Sequence, residues 1–528
     1  MSGAYLRPDA IIEPLFHQWP VDVFLIPPAT AALTLQQTLL PILKSFLQMP
    51  QAHASAVANP AFAGGPFVDV EIARADEVRQ LLERTEGKAG PLVELTAALK
   101  AIEALVLPQT TGGSLEAMYR RVPEALKGYV ELAYDLHHRA TWRLFEGLLY
   151  RSRYFQRDAQ LLALSLATSD RRPFAYSTPR LAGADRLLLQ VPFDDLRVDA
   201  LARARLSPVD PRVLAEELGV SAVDRPFFEA LFTPDAPAPA PPRHTRDGVR
   251  VSYHGHACVL IESAEATVLV DPTFATATEG TPARRSYAHL PEHIDLVLIT
   301  HAHADHFNVE ALLQLRHRVG QIVVPASGGR LPDPALNLLL GALGFKNVRA
   351  VSDLERVDLP GGNVTALPFL GEHGDLDIHT KSAYCIRLNG RAVVVAADAT
   401  GLQPEQFDLI HAEIGAPDVL FAAMEPHGAP LSWGYGAFFS KPPPRKIDLE
   451  RRQRAASQTE LVEMLRRLRP KRFFNYAMGL EPWLHHLMGV ATHSVPLTLE
   501  ASDPLTQFCR AQGIDAQRLY GFQEMLIR

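Results

Sequence analysis

Hydrophobic residues recur every three or four positions through much of the first 230 residues, which is the spacing of one face of an amphipathic helix. This pattern predicts helices over 35–49, 75–87 and 92–107, and a longer helical stretch over 116–155. The leucine-rich run 186–193, RLLLQVPF, is a candidate strand. The first half of the chain is therefore expected to be a mostly helical α+β domain.

The pattern changes after a stretch in which proline and alanine alternate, PDAPAPAPP at 234–242. Such a sequence favours extended polyproline II geometry and cannot form a packed core. We therefore place an N-terminal domain at 1–235, a linker at 236–247 and a second domain at 248–528.

Short segments rich in β-branched residues fill the second domain, and turns and helices separate them. Candidate strands include VRVSYHG, ACVLIES, TVLVDP, IDLVLIT, QIVVP, DVLFAAM and RFFNYAM. The segment AYCIRLNGRAVVVAA predicts two strands joined by a type I′ turn at Asn389 and Gly390. Ser457 and Glu460 form a capping-box signature for a following helix. Two β-rich sheets with helices outside them would account for this order, so the expected fold class is α/β.

Composition narrows the class of protein without identifying it. The length of 528 residues fits two domains, and 47% hydrophobic with 21% charged residues is ordinary for a globular protein. A formal net charge of -7 gives no indication of binding to nucleic acid or to an anionic membrane. The three cysteines form no CxxC pair, which argues against a disulfide framework. With no secretory signal pattern and no apolar run of membrane-spanning length, we expect a cytoplasmic protein.

The segment LITHAHADHF, 298–307, contains three histidines and an aspartate directly after a predicted strand. His301 and His303 point the same way because side chains alternate along an extended chain, so both can hold one ion. Asp305 and His306 lie in the following turn, where they can hold a second ion nearby. Three imidazoles and a carboxylate this close together would be poorly compensated without a metal.

Residues 248–528 resemble the metallo-β-lactamase-fold superfamily, whose signature is the spacing H-x-H-x-D-H. The resemblance implies that Asp271, at the end of TVLVDP, supports the site and that Asp398, in VVVAADAT, bridges two metals. The last motif of the superfamily is a histidine after a late strand, for which YAMGLEPWLHHLMG offers two candidates. Adjacent residues on a helix point about 100° apart, so only one of His485 and His486 is expected to bind the second metal.

The third motif departs from the hydrolases of the superfamily, which usually have a histidine directly after a glycine. This chain has FLGEHGD, so Glu372 follows Gly371 and His373 comes one position later. A one-residue shift in the alignment would restore a histidine ligand. As the sequence stands, Glu372 joins the two motif histidines as the third ligand of the first metal, and Asp398 bridges to the second. A carboxylate adds negative charge and a hard oxygen ligand, which favours iron over zinc.

This combination is similar to the diiron β-hydroxylases of non-ribosomal peptide pathways, typified by the β-hydroxylase of chloramphenicol biosynthesis. Those proteins join a metallo-β-lactamase-fold domain with this glutamate to an N-terminal domain of a few hundred residues. The resemblance implies a monooxygenase with two iron ions, which uses O2 and electrons from a donor protein. Its substrate would be the β-carbon of an aminoacyl group on a carrier protein. The alternative is a hydrolase with two zinc ions that acts on a phosphodiester, lactone or thioester.

Positions outside the metal motifs are expected to assist this chemistry. Glu425, after DVLFAAM, is with Glu372 and Asp398 a candidate catalytic residue that would orient a ligand or a proton. His256 is expected to be a hydrogen-bonded structural residue. The basic segment 441–454 is a candidate docking surface for an acidic carrier-protein domain that bears a phosphopantetheine-linked amino acid. The N-terminal domain is a candidate dimerisation and partner-docking module, so a homodimer is expected.

Overall fold

The computed structural model describes residues 3–238, 241–425, 427–489 and 504–528. The chain folds into an N-terminal and a C-terminal part, and the described residues of the predicted linker carry no helix or strand. No helix within these four ranges is long and apolar enough to cross a membrane. The α/β fold class is confirmed.

The N-terminal part contains eight strands and nine α-helices among the described residues. Its strands are β1 (Tyr5–Leu6), β2 (Ala10–Phe16), β3 (Trp19–Pro20), β4 (Val130–Tyr134), β5 (Ala140–Leu144), β6 (Gln160–Leu166), β7 (Arg186–Leu189) and β8 (Phe232–Thr233). Its helices are α1 (Pro28–Thr34), α2 (Leu40–Gln48), α3 (Pro50–Val57), α4 (Ala75–Lys88), α5 (Gly90–Val106), α6 (Glu146–Leu149), α7 (Leu196–Arg203), α8 (Pro211–Glu217) and α9 (Arg225–Ala230). A four-stranded antiparallel sheet has the order β3-β2-β6-β7, and two small sheets pair β1 with β8 and β4 with β5.

Three of the four predicted helical stretches are confirmed. The stretches 75–87 and 92–107 correspond to α4 and α5, and 35–49 corresponds to a π-helical turn, Leu35–Leu39, that continues into α2. The leucine-rich run at 186–193 contains strand β7, as expected. Each of these helices buries an apolar stripe in one shared core, which is why the three-to-four spacing predicted them.

The helical prediction for 116–155 is wrong, because this stretch contains the hairpin of β4 and β5. The carboxylate of Asp135 accepts hydrogen bonds from the backbone N–H groups of His137 and Arg139, which stabilises the turn. Strands of five residues are too short for periodicity alone to separate them from helix. The sequence pattern also missed β2, whose seven residues are all buried and therefore show no alternation of polar and apolar positions.

The C-terminal part is a sandwich of two seven-stranded sheets. The first sheet comprises β9 (Val249–Tyr253), β10 (Val259–Glu262), β11 (Thr267–Val270), β12 (Ile294–Leu298), β13 (Val319–Pro325), β14 (Val348–Val351) and β22 (Gln523–Ile527). The second comprises β15 (Arg356–Leu359), β16 (Gly362–Leu367), β17 (Ala383–Leu388), β18 (Arg391–Val395), β19 (Val419–Ala422), β20 (Arg472–Asn475) and β21 (Asp515–Arg518). Buried aliphatic and aromatic side chains from both sheets form the core between them.

Helices cover the outer faces of both sheets. They are α10 (Val309–Leu315), α11 (Leu336–Ala342), α12 (Glu405–Ile414), α13 (Leu431–Tyr435), α14 (Arg445–Glu450), α15 (Gln458–Leu468), α16 (His485–Met488) and α17 (Pro504–Gln512). Helices α10 and α11 share a core with the first sheet, and α12, α15 and α17 share another with the second. The αββα sandwich expected from the resemblance is confirmed.

Two local predictions in this part are also confirmed. Strands β17 and β18 pair antiparallel, and Asn389 and Gly390 between them have φ values of 48° and 73°, as the two central residues of a type I′ turn require. Ser457 and Glu460 form both hydrogen bonds of a capping box at the start of α15. Strand β18 leads directly to Asp398, so this hairpin contributes to the position of a candidate metal ligand.

A buried ion network joins the N-terminal part to the sandwich. Arg172 donates to Glu13 of β2 and to Glu310 of α10, with N–O distances of 2.7 Å in both cases. Arg180 donates to both oxygens of the same Glu13 at 2.8 and 3.0 Å. Burial alone would raise the pKa of Glu13, but the two arginines outweigh it and hold that pKa well below its ordinary value. Because α10 follows the histidine motif, this network fixes the N-terminal part against the candidate site.

We expect Arg172→Met to lower the free energy of unfolding by about 3 kcal/mol, because it leaves the carboxylate of Glu310 partly buried without its cation. Urea unfolding followed by circular dichroism measures this change. Arg79→Met is the matched control, because Arg79 pairs with Asp76 on the surface and exposed pairs contribute about 0–1 kcal/mol. Equal losses in the two variants would contradict a specific role of the buried network.

Candidate metal centre

Side chains of metal-binding type gather at one end of the sandwich. The histidine motif, 301–306, follows β12, and Asp271 follows its parallel neighbour β11. Asp398 follows β18 of the second sheet, and Glu372 lies in the loop between β16 and β17. Because parallel neighbouring strands end at the same edge of a sheet, the two sheets bring these loops together.

Asp271 is the buried carboxylate that orders the histidine motif. Its Oδ1 accepts a hydrogen bond from the backbone N–H of Thr300 at 2.8 Å, and its Oδ2 accepts one from the Thr300 hydroxyl at 2.6 Å. The same Oδ2 lies 2.8 Å from Nδ1 of His306, which therefore donates to it. With Nδ1 protonated, Nε2 of His306 carries the lone pair that can bind a metal.

Thr300 sets the tautomer of His301 in a similar way. The Thr300 hydroxyl gives its proton to Asp271, so its oxygen accepts the Nδ1 proton of His301 at 3.0 Å. Nε2 of His301 is then unprotonated. The supporting role predicted for Asp271 thus extends to both buried histidines of the motif.

The first candidate group contains His301, His303 and Glu372, which each offer one ligand atom within 4.8 Å of the others. Nδ1 of His303 lies 2.8 Å from Oε1 of Glu372. The neighbouring His373 does not join this or any other such group among the described residues. The geometry therefore favours the glutamate of GEHGD over the histidine beside it.

The second candidate group contains His301, His306 and Asp398. Oδ2 of Asp398 lies 3.2 Å from Nε2 of His306 and 3.5 Å from Nε2 of His301. Oδ2 of Asp305 lies 3.6 Å from the same Nε2 of His306. Asp398 thus lies between the two halves of the site, in the place expected for a bridging carboxylate.

His256 forms a third candidate group with Asp305 and His306, and its hydrogen bonds suit it to orient Asp305. Its Nδ1 accepts a hydrogen bond from the backbone N–H of Gly479 at 3.1 Å, so the proton of the neutral ring is on Nε2. That Nε2 donates to Oδ2 of Asp305 at 2.8 Å. The expected structural role of His256 is confirmed, and the structure shows which side chain it holds.

The loop that carries Glu372 is fixed from two further elements. Nζ of Lys381 donates to the carbonyl of Gly371 at 2.9 Å, and Nε of Arg451 donates to the carbonyl of Gly374 at 2.9 Å. Gly371 has a φ of 87°, and a Cβ there would lie 2.4 Å from the side chain of Thr400. Only glycine fits this position, so the register of the loop is fixed.

Charges in the cluster act on its histidines in opposite directions. Burial alone lowers the pKa of His306, but the carboxylates of Asp398, Asp305 and Asp271 outweigh burial and raise that pKa well above its ordinary value. Burial, reinforced by the neighbouring imidazoles, holds the pKa of His301 well below its ordinary value. The carboxylates therefore stabilise positive charge at His306, whereas burial and the neighbouring imidazoles disfavour it at His301.

The nitrogen and oxygen atoms that could act as ligands fit a pair of metal ions. Nε2 of His301, Nε2 of His306 and Oδ1 of Asp398 are buried and have no hydrogen-bond partner among the described residues. Burying such atoms without a partner costs about 1–3 kcal/mol each. A cation bound between them would satisfy all three.

The structure does not bring the remaining predicted residues into these groups, as far as the described residues show. His486 is buried and lies close to the Glu13–Arg172 pair rather than to Asp398. His485 likewise belongs to none of the groups. Oε1 of Glu425 accepts the backbone N–H groups of His427 and Gly428, so this carboxylate stabilises its own turn. A catalytic role for Glu425 and metal binding by His485 or His486 stay predictions without geometric support.

One side of the cluster is partly open and bordered by aromatic rings. Asp305 and His303 keep 17% and 16% of their side-chain surface exposed, whereas His301 and His306 keep none. Tyr176 of the N-terminal part lies close enough for the Asp305 charge to help burial raise its pKa. Its ring contacts both Phe174 and Trp433 edge-on, and Trp433 is 43% exposed. Sequence reasoning missed this border because it joins three distant segments.

Comparison with known proteins covers both parts of the chain. Residues 5–237 match the family described as the diiron non-heme beta-hydroxylase N-terminal domain. Residues 250–474 match the beta-lactamase superfamily domain. These matched ranges agree with the two parts seen in the structure.

Similar proteins include one that spans the whole chain. The 4-amino-L-phenylalanyl-[CmlP-peptidyl-carrier-protein] 3-hydroxylase of Streptomyces venezuelae is 36% identical over 523 residues, which cover 98% of each chain. The crystal structure of CmlA, a diiron beta-hydroxylase from Streptomyces venezuelae, has a TM-score of 0.91 at 34% identity and covers 100% of both chains. A UPF0173 metal-dependent hydrolase of Shouchella clausii is 34% identical over 104 residues, which cover 20% of this chain and 40% of that protein.

We expect Asp271→Asn to weaken metal binding about 10- to 100-fold, the usual effect of losing a side chain that orients a ligand. An amide at this position turns an N–H group towards the Nδ1 proton of His306 and disrupts the tautomer that frees Nε2. Competition between the metal-loaded protein and a chromophoric chelator measures the change. Asp295→Asn is the control, because Asp295 accepts a backbone N–H from Thr267 elsewhere in the same sheet. Unchanged affinity in Asp271→Asn would contradict this role.

Proposed function

We propose a substrate for this chain, which belongs to the family of diiron non-haem β-hydroxylases and is an oxygen-dependent oxidoreductase. The proposed substrate is an aminoacyl group held as a thioester on a peptidyl carrier protein. The proposed reaction is hydroxylation of its β-carbon with O2 and electrons from a donor protein. The relative from Streptomyces venezuelae is a carrier-protein-dependent 3-hydroxylase by its name, which supports the proposal.

The observation that carries the proposal is the carboxylate of Glu372 beside Nδ1 of His303. We assign His301, His303 and Glu372 as ligands of the first iron. We assign Asp305 and His306 as ligands of the second iron, and Asp398 as the carboxylate shared by both irons. These assignments rest on the candidate groups and distances described above. A site with this many hard oxygen ligands suits iron better than zinc.

Two bound irons supply the redox chemistry that directs O2 to a C–H bond. The protein's own residues bind and orient these ions and exclude water around them. Asp271, Thr300 and His256 fix the direction of three ligands through hydrogen bonds. The aromatic border of Phe174, Tyr176 and Trp433 gives the partly open side an apolar wall for the substrate.

The hydrolase alternative with two zinc ions is less well supported. The relative described as a metal-dependent hydrolase covers 20% of this chain, whereas the 3-hydroxylase covers 98%. A hydrolase function would also leave the match of residues 5–237 to the diiron non-heme beta-hydroxylase N-terminal domain unexplained. The comparison therefore favours the oxygenase.

A carrier protein requires a docking surface, and we propose that residues 441–450 of the basic segment form it. Lys441, Arg445 and Lys446 are exposed there, together with the apolar side chains of Ile447 and Leu449. A cationic surface with an apolar centre complements the acidic, partly apolar surface that carrier domains present around their phosphopantetheine arm. We name residues 441–450 the α14 surface.

The remaining arginines of the segment have structural partners. Arg451 donates to the carbonyl of Gly374, and Arg452 donates to the carbonyls of His427 and Gly428. Arg454 forms an ion pair with Glu460 at 2.8 Å. These three side chains stabilise loops near the metal centre, so we exclude them from the α14 surface.

The α14 surface begins at the edge of a cavity between the two parts of the chain. Phe439 and Ser440 line this cavity of about 280 Å³ together with Trp142 of the N-terminal part. Tyr435 lines its inner side and contacts His303. Docking at the α14 surface would therefore place a phosphopantetheine arm beside an opening that approaches the metal centre.

A homodimer and a separate electron donor remain part of the proposal. The N-terminal part exposes large apolar side chains, among them Leu107 at 71% and Leu136 at 98%. Such surface favours a protein partner or a second copy of the chain. Light scattering of the full-length protein, with and without Leu107→Glu and Leu136→Glu, tests whether this surface forms a dimer.

The proposed reaction is tested with the iron-loaded, chemically reduced protein, O2 and a panel of aminoacyl carrier proteins. We expect the carrier-bound amino acid to gain the mass of one oxygen atom, and the free amino acid to remain unchanged. Glu372→His should lower the ratio of bound iron to zinc after loading with equal amounts of both, and should abolish this mass gain. Glu355→His, on an exposed turn, is the control. Release of the thioester without O2, by a zinc-loaded protein, would refute the oxygenase.

We expect the combined change Lys441→Glu, Arg445→Glu and Lys446→Glu to weaken binding of the aminoacyl carrier protein roughly tenfold at low salt. The difference should shrink as salt rises, because salt screens exposed charges. Surface plasmon resonance at several salt concentrations measures both effects. The matched control reverses Arg120, Arg121 and Lys127 on the N-terminal part. An equal loss in both variants would show a non-specific charge effect and remove the α14 surface from the proposal.

A further inference from the structure

Tyr435, the last residue of α13, joins two histidines beside the metal centre. Its hydroxyl lies 3.0 Å from Nε2 of His303 and 2.7 Å from Nδ1 of His373. Its side chain is buried, with 1% exposed. The sequence gives no signal for this contact, because Tyr435 is far along the chain from both histidines.

The order of hydrogen bonds through Tyr435 follows from the metal-facing atom of His303. Nδ1 of His303 is the atom that lies beside Glu372, so a metal held by both residues requires Nδ1 without a proton. The proton of the neutral ring must then be on Nε2, which donates to the Tyr435 oxygen. Tyr435 has one proton of its own, and it points to Nδ1 of His373.

His373 is suited to end this series as an acceptor. Its Nδ1 lies 2.7 Å from the Tyr435 oxygen, and the ring is buried with 1% of its surface exposed. Tyr435 donates to its Nδ1, which leaves its single proton on Nε2. The ring is therefore held by Tyr435; its Nε2 is buried without a hydrogen-bond partner among the described residues, but His373 belongs to none of the candidate metal groups.

Tyr435 itself is held rigidly. Its ring packs edge-on against Phe24 of the N-terminal part, with centroids 5.9 Å apart. Helix α13 begins beside Asp448 of α14, whose carboxylate accepts both the backbone N–H and the hydroxyl of Ser432. The hydroxyl of Tyr435 is thus fixed by both parts of the chain and by the helix of the α14 surface.

We propose that Tyr435 is a positioning residue for the iron ligand His303, with His373 as the acceptor that fixes the direction of the Tyr435 hydroxyl. This proposal rests on the proposed function, because it takes His303 and Glu372 as ligands of one iron. The hydrogen bond from Nε2 of His303 keeps its Nδ1 free for the metal. In this proposal His373, the neighbour of Glu372 in sequence, accepts a hydrogen bond and does not bind the metal.

The hydrogen bonds from His303 to Tyr435 and from Tyr435 to His373 predict an effect that a purely structural role of Tyr435 would not produce. If His373 cannot accept, the Tyr435 proton has only Nε2 of His303 as its acceptor among these three groups. His303 would then carry its proton on Nδ1, the atom that faces Glu372, and would bind metal poorly. Removing the acceptor should therefore be as harmful as removing the hydroxyl.

Chelator competition on the full-length, iron-loaded protein tests this order. Tyr435→Phe and His373→Leu should each release one of the two irons at a roughly 10- to 100-fold lower chelator concentration than the unaltered protein. His373→Asn should retain iron almost as well as the unaltered protein, because its Oδ1 takes the place of the accepting Nδ1. Tyr119→Phe, whose hydroxyl contacts the backbone of β4, is the control for loss of a tyrosine hydroxyl. Circular dichroism confirms that each variant is folded before it is compared.

The outcomes separate this proposal from the ligand assignment on which it rests. Unchanged iron retention in Tyr435→Phe, or retention in both His373 variants equal to that of the unaltered protein, would overturn the positioning role. Equal loss in both His373 variants would instead identify His373 as a ligand and overturn the role given to it here. Glu372→Gln tests the assignment separately: if it retains iron while Tyr435→Phe does not, Glu372 is not a ligand but Tyr435 still positions His303.

Discussion

The centre of this protein depends on polar atoms that are buried together and have no hydrogen-bond partner within the described part of the chain. Nε2 of His301, Nε2 of His306 and a carboxylate oxygen of Asp398 face one another inside a β-sandwich. Burial of apolar side chains in the core between the two sheets offsets the free-energy cost of burying these polar atoms. Bound cations remove the cost, because they satisfy all of these atoms at once. Metal binding and stability are therefore linked in this domain.

Sequence predicted the parts of the site whose geometry is local. Four side chains of the histidine motif lie within six residues, and the alternation of an extended chain predicts that His301 and His303 point the same way. Asp398 was predictable because a hairpin turn, Asn389 and Gly390, places the strand before it. The contacts of His256 and Tyr435 could not be predicted, because each reaches the site from an element far away in the chain. Metal binding by the late histidines stays a prediction without geometric support for a related reason, since the direction of a short helix is set by its packing.

The N-terminal part belongs to the working site and is not merely attached to it. Arg172 connects β2 of that part to α10, the helix that follows the histidine motif. Phe24 packs on the ring of Tyr435, which contacts His303. Tyr176 borders the open side near Asp305. These contacts come from two segments of the N-terminal part, 13–24 and 172–176, so loss of the interface would disturb several contacts of the metal centre together.

Backbone geometry explains why a glutamate and not the adjacent histidine faces the metals. Glu372 has a φ of 72°, in the left-handed region that side chains other than glycine rarely adopt. This conformation costs about 1–2 kcal/mol, and such strain persists where the surroundings fix it. Gly371 before it is also left-handed and has no room for a side chain beside Thr400, while Lys381 holds its carbonyl. Two consecutive left-handed residues turn the chain so that Glu372 lies beside His303 and His373 turns to Tyr435. Replacing Glu372 by histidine would change which metal the site prefers. Changing the left-handed backbone conformation at Gly371 and Glu372 would instead change which residue reaches the metal.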